Sequence, residues 1–151
     1  GHLWVRGAAV VDRYFGQEQQ ATADGWFNTG DLARIERDGT VLITGRSKDL
    51  IKSGGEWINP TEIEALVSGL PEVAFAAVVG REHEKWGERP VALVVKNGDA
   101  DEEGIKALMA DYADKGIISR YGIPDRVIFV DELPRTSVGK LDKKKMRAEM
   151  V

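Results

Sequence analysis

The chain has 151 residues, of which 42% are apolar and 30% charged, a balance that suits one medium domain or a small domain with a piece of another. Its net charge of −4 argues against a general nucleic-acid binder, and the absence of cysteine excludes disulfide and thiolate chemistry. No apolar run nears the roughly 20 residues a membrane helix needs, and no secretory signal pattern opens the sequence; with the lack of cysteine, the expected location is the cytoplasm.

The first third reads as β structure. Leu3–Val11 alternates loosely and is rich in valine. Phe27–Ile35 and Thr40–Thr44 flank Arg37-Asp38-Gly39, and Asp-Gly between two such runs predicts a hairpin. Trp26, Phe27, Leu32, Ile35, Val41 and Ile43 are expected to supply its buried face. The character changes at Gly45-Arg46-Ser47-Lys48-Asp49. Beyond it, Leu50–Lys52 and Glu56–Ile58 can pair across Ser53-Gly54-Gly55. Asn59-Pro60-Thr61-Glu62 then predicts a helix start, with Asn59 as N-cap, Pro60 in the first turn and Glu62 completing a capping box. Ile63, Leu66 and Val67 form its apolar stripe, and Gly69 with Pro71 stops it.

Ala74–Val79, Val91–Val95 and Val127–Val130 are short, uninterrupted and β-branched, as strands covered on both faces are. Between the last two, Ile105, Leu108, Met109 and Tyr112 recur at helical spacing, and Met146 and Met150 mark a short final helix. The expected fold class is α+β. Residues 47–151 form a small mixed-sheet domain, sheet on one side and helices on the other. Residues 1–46 are a β-rich piece of a larger, incomplete neighbour, and the junction near Lys48 is short and polar, as a hinge requires.

Charge is uneven. Asp49–Asp131 holds nine basic and sixteen acidic residues, whereas Glu132–Val151 holds six basic and three acidic. Lys143, Lys144 and Lys145 read equally as a solvated helix face or as a surface turned toward phosphate. Asp31, after Gly30 at the end of an aromatic strand, is either an ordinary turn aspartate or a carboxylate open to a vicinal diol. Arg46 behind Gly45 can lay its fork on hydroxyls or phosphate, or simply mark a domain surface. Gly54 and Gly55 serve a tight turn, or let a ligand approach the backbone. Lys140 ends the loop Leu133-Pro134-Arg135-Thr136-Ser137-Val138-Gly139-Lys140 just before a helix. It is a solvated lysine or a point charge for phosphate, and the surrounding pattern is not a Walker loop. His2 and His83 pair with no nucleophile pattern, His83 reads as a solvated loop residue, and nothing resembles a metal cage.

Taken in order, Gly1–Gly7, Gly25-Trp26-Phe27-Asn28-Thr29-Gly30-Asp31, Gly45–Glu64 and Pro134–Lys140 resemble the adenylate-forming superfamily of acyl- and aryl-CoA synthetases, luciferases and peptide-synthetase adenylation domains. Lys52-Ser53-Gly54-Gly55-Glu56-Trp57-Ile58-Asn59-Pro60 is most similar to medium- and long-chain fatty acyl-CoA ligases. The resemblance implies an ATP-dependent, AMP-forming fatty acid–CoA ligase, with ATP, CoA and a fatty acid as small-molecule partners and Mg2+ accompanying the ATP. It implies that Asp31 and Arg46 bind ATP and AMP, that Lys48 is the hinge and that Lys140 is catalytic. Gly54 and Gly55 would line the path of CoA, with Trp57 nearby. His2 stands where the family usually has Glu. The family's phosphate loop and acyl pocket lie in a large N-terminal domain that these residues do not include. The stretch is therefore expected to be inactive alone, and either to self-associate through the uncovered strands of Gly1–Gly45 or to leave that segment disordered. An aryl- or amino-acid-activating or luciferase-like enzyme, and a non-catalytic α+β binding module, are the alternatives.

Overall fold

A computed structural model describes residues 1–11, 13–16 and 22–151, and their backbone contacts fall into two units, Gly1–Lys48 and Asp49–Val151. In the first, strand β3 (Trp26–Ile35) pairs antiparallel with β1 (His2–Val5), β2 (Thr22–Ala23) and β4 (Val41–Arg46). The β3–β4 hairpin closes where Asp-Gly predicts it. Gly39 takes φ +88°, a left-handed conformation open to glycine, and the Asp38 carboxylate accepts from the Thr40 amide at 2.9 Å. That amide holds the Asp38 carboxyl below its usual range.

Two expectations for this unit fail. The strand expected over Leu3–Val11 ends at Val5, because the chain turns at Gly7, whose carbonyl accepts from the Val10 amide at 3.1 Å. The expected buried face is mostly open: Phe27 and Leu32 are half-buried, but Trp26, Ile35, Val41 and Ile43 are exposed. Among the described residues of this unit, the sheet has no second layer over its apolar side.

A turn of 3-10 helix, Ser47–Asp49, leads into the second unit. There β5 (Ile51–Ser53) and β6 (Glu56–Ile58) form a tight hairpin, followed by α1 (Pro60–Ser68), β7 (Val73–His83), β8 (Gly87–Lys96), α2 (Glu102–Asp114), β9 (Arg126–Phe129) and α3 (Lys143–Glu149). Strands β7 and β8 are a long antiparallel pair from Val73↔Lys96 to His83↔Gly87. Strand β9 lies parallel to β8, with α2 in the crossover, and β5 joins the other end of β8 at Ser53↔Gly87.

Local chemistry explains the helix ends. The Asn59 side chain accepts from the Thr61 amide at 3.1 Å, with Pro60 in the first turn of α1. Asp101 caps α2 by accepting from the Gly104 amide at 2.6 Å. The next residue, Glu102, binds Lys106 at 2.8 Å and accepts from the Val127 amide at 3.0 Å, tying α2 to β9. Its carboxyl is held below the usual range, first by the lysine and then by that amide.

The core has two layers. Ile63 and Val67 of α1 and Ile105 and Met109 of α2 pack with Ile51, Val78, Ala92 and Val94. Met146 of α3 and Leu133 pack on the opposite face, against Ala77, Val79 and Leu93. This corrects the expectation of helices on one side. Successive residues of β7 and β8 are apolar on both faces, so both faces need cover. Each buried Val, Leu, Ile or Met contributes about 2 kcal/mol. The unit is thus α+β with a mixed sheet flanked by helices, as expected. Among the described residues, no helix is long and apolar enough to cross a membrane.

Candidate functional site

Asp31 and Arg46 face each other across β3 and β4, and the Arg46 Nε lies 2.8 Å from Asp31 Oδ1. Thr29 sets up the carboxylate. Its hydroxyl donates to the Leu3 carbonyl at 3.0 Å and accepts from the Asp31 amide at 3.1 Å. Gly30, at φ +74°, supplies the conformation between them. The Asp31 side chain is 19% exposed and that of Arg46 50%, so a partly sheltered carboxylate sits beside an open guanidinium. Such a pair can present acceptors to hydroxyls and a cation to phosphate at one edge of a sheet. Lys48 is exposed in the 3-10 turn that closes this unit. His2 contacts the Ser47 hydroxyl through Nδ1 at 3.0 Å.

In the second unit, Gly54 and Gly55 make the β5–β6 turn at φ +59° and +86°. Their surroundings differ. A Cβ on Gly54 would lie 2.2 Å from the Tyr121 ring, whereas one on Gly55 would meet open space. The Gly54 amide donates to the Trp86 carbonyl at 3.0 Å, and the Trp86 and Tyr121 rings meet edge-on at 5.5 Å. Gly55, Lys52, Trp86 and Glu88 border an open depression. Trp57 projects from the hairpin, 63% exposed, with the Lys52 ammonium 5.4 Å from its ring.

Lys140 ends a loop closed by its own backbone. Thr136 donates to the Lys140 carbonyl at 2.7 Å, Gly139 donates to the Thr136 carbonyl at 2.9 Å, and Arg135 and Leu141 form an isolated bridge. Arg135 adds a bond to the Gly139 carbonyl at 2.9 Å. None of these uses the Lys140 side chain, whose exposed ammonium has no ion-pair partner among the described residues. Behind the loop, α3 is anchored at both ends. Lys143 pairs with Glu64 of α1 at 2.6 Å with both side chains largely buried, and Glu64 also accepts from the Val78 amide at 2.7 Å. Arg147 pairs with Asp49 at 3.3 Å. Lys143 therefore belongs neither to a solvated face nor to a surface open to phosphate, the two readings of the lysine run, while Lys144 and Lys145 stay exposed.

Three features escape the sequence reading. Tyr121 covers Gly54, and Glu88 accepts from the Lys52 amide at 2.9 Å. Arg89 bonds to Ser53, Tyr121, Ile123 and Asp125. The one available signal is Glu88-Arg89, two charges just before the apolar run Pro90–Val95. His83 accepts from the Lys85 and Trp86 amides at 3.1 and 3.3 Å, so it caps the β7–β8 turn.

Residues 62–140 match the family model for the AMP-binding enzyme C-terminal domain. The chain is 45% identical over 150 residues to a 3-methylmercaptopropionyl-CoA ligase of Ruegeria lacuscaerulensis, with 99% of this chain and 27% of that protein covered. It is 44% identical over 149 residues to a medium-chain-fatty-acid–CoA ligase of Ectopseudomonas oleovorans, with 97% and 27% covered. Among solved structures, an o-succinylbenzoate CoA synthetase from Bacillus subtilis in complex with its acyl-adenylate intermediate superposes with a TM-score of 0.85 at 33% identity. That match covers 97% of this chain and 30% of the other. The chain thus spans about 27% of the length of these curated relatives.

Proposed function

The chain belongs to the family of AMP-binding enzyme C-terminal domains, and from that premise we propose that it is the C-terminal part of an AMP-forming acyl-CoA ligase that activates a fatty acid in the cytoplasm. In the first step the acid's carboxylate attacks the α-phosphorus of ATP, forming the acyl-adenylate and releasing pyrophosphate. In the second the CoA thiol attacks the acyl carbonyl, forming the thioester and releasing AMP. The observation that carries this reading is the Lys140 ammonium, without an ion-pair partner among the described residues, at the exposed end of a loop ordered by its own backbone bonds. A cation so presented suits the charge that builds on phosphate oxygens in the first step.

The other roles are assigned within the same proposal. Asp31 accepts from the ribose hydroxyls, with Arg46 orienting it and contributing charge toward phosphate. Mg2+ would come with ATP and offset phosphate charge. Lys48 is the hinge, and Gly54, Gly55 and Trp57 border the approach of CoA. The first unit's exposed Ile35, Val41 and Ile43 await cover, which the upstream part of the protein, or in its absence a second copy, would supply. A fatty acid is favoured over other acids by the likeness of Lys52–Pro60 to fatty acyl-CoA ligases.

The full-length protein tests this directly. It should exchange pyrophosphate into ATP only when a fatty acid is present, and should then consume CoA, whereas Gly1–Val151 alone should give background exchange. No exchange by the full-length protein with any carboxylic acid would refute the ligase reading. Lys48→Pro in the full-length protein fixes φ at a position where a swivel needs torsional freedom. It should slow one half-reaction at least about tenfold more than the other. Equal, modest losses in both would make Lys48 an ordinary linker residue.

A further inference from the structure

We propose that Arg89 is a positioning residue for thioester formation, one that holds the Ser53–Gly55 turn and the Tyr121 segment in register with each other; this rests on the ligase reading above. Arg89 opens the apolar part of β8 and its side chain is only 13% exposed. All three nitrogens of its fork donate. Nε donates to Asp125 Oδ1 at 2.8 Å, one Nη to the Ser53 hydroxyl at 3.1 Å and the Tyr121 carbonyl at 2.8 Å, and the other Nη to the Ile123 carbonyl at 3.0 Å.

These acceptors lie on separate stretches of chain. Ser53 is fully buried at the end of β5 and begins the glycine turn. Tyr121 lies in a 3-10 turn, Arg120–Gly122, and Ile123 follows it. Tyr121 is also the residue whose ring lies against Gly54. Among the described residues, Arg89 is the one side chain hydrogen-bonded both to the turn and to the segment that covers it. The backbone of the turn is separately tied to Trp86, which packs on Tyr121. A displacement of Tyr121 would thus reach the glycine turn at once, through ring contact and through Ser53.

A buried guanidinium is a costly way to fill space, because an apolar side chain of similar volume serves stability as well or better. Its distinct property is a planar fork that fixes several acceptors at set angles. Here only Asp125, 41% exposed, is charged, and the other three acceptors are neutral groups of the two segments. Geometry is what this arrangement supplies, and thiol attack on the adenylate depends on geometry more than on added charge.

The test uses the full-length enzyme and measures adenylate formation and thioester formation from supplied acyl-adenylate separately. Arg89→Lys keeps the charge and loses the fork, Ser53→Ala removes one acceptor, and Asp125→Asn removes the charged partner while leaving the bonds to both segments. Arg89→Lys should lower thioester formation about ten- to a hundredfold and raise the KM for CoA, with adenylate formation within about twofold of wild type. Ser53→Ala should shift the thioester step the same way by a smaller factor. Asp125→Asn should lower the melting temperature yet leave the thioester step within about twofold. A thioester step unchanged in both Arg89→Lys and Ser53→Ala, or losses that follow melting temperature across all three variants, overturns the proposal. So does an equal fall of both half-reactions. A wild-type enzyme that forms no acyl-adenylate overturns the ligase reading along with it; a working wild type with an unaffected Arg89→Lys variant overturns the role of Arg89 alone.

Discussion

Replacing Lys140 by Ala in the full-length enzyme should slow acyl-adenylate formation on the order of a hundred- to a thousandfold, or about 3–4 kcal/mol of transition-state stabilisation, by analogy with a lost oxyanion donor. Thioester formation from a supplied acyl-adenylate should survive. The loop keeps its shape without the ammonium, since its closing bonds run through the Thr136, Gly139 and Lys140 backbone and through Arg135. The loss therefore reports the charge and not a collapsed loop. Lys140→Arg should rescue poorly, because its fork is wider than the ammonium it replaces. Single-turnover measurement of both steps decides the matter. Adenylation near the wild-type rate, or an equal collapse of both steps, would remove Lys140 from its assigned role.

Gly54→Ala should be the most destabilising conservative change in the glycine turn. The added methyl would sit 2.2 Å from the Tyr121 ring, and the backbone at φ +59° disfavours any side chain. Tyr121 has little room to yield, with its carbonyl bonded to Arg89 and its ring edge-on to Trp86. Overpacking of about 1–3 kcal/mol adds to a left-handed backbone cost of about 1–2 kcal/mol. Gly55→Ala carries only the second cost, since nothing stands in the way of its methyl. Urea denaturation of the two variants should show a clear gap in midpoint, with Gly54→Ala lower. Equal midpoints would mean that the Tyr121 ring swings aside freely.

What could be read from the residues alone was local. Asp38-Gly39 specifies a hairpin, Asn59-Pro60 a helix start, and the valine-rich runs three strands, because each depends on neighbours in sequence. The α+β class follows from their order. Pairings between distant segments were not legible. Nothing around Lys143 distinguishes it from Lys144, yet Glu64 takes it out of solvent. Gly54 looks like any turn glycine until Tyr121 is placed against it. The exposure of Trp26, Ile35, Val41 and Ile43 in these residues was not legible either, because alternation reveals which side chains want cover, not which part of the protein gives it. At the candidate site, the family resemblance names Asp31, Arg46, Lys140 and the glycine pair, whereas Arg89 carries no such signal because its partners lie on two distant stretches, at Ser53 and at Tyr121–Asp125.

The parallel seating of β9 on β8, with α2 in between, also sets an order of assembly. The β5–β6 and β7–β8 hairpins close short loops at little entropic cost, whereas β9 must wait for a long crossover to be organised. Helix α3 depends on more still. It is too short to persist alone, and its buried Met146 docks on a surface of Ala77, Val79 and Leu93 that exists only once β7 and β8 have zipped. The segment bearing Lys140 is therefore among the last to settle. A partly folded chain would have its strands before it has a positioned lysine, so the role proposed for Lys140 would become possible late and all at once, as a by-product of completed folding.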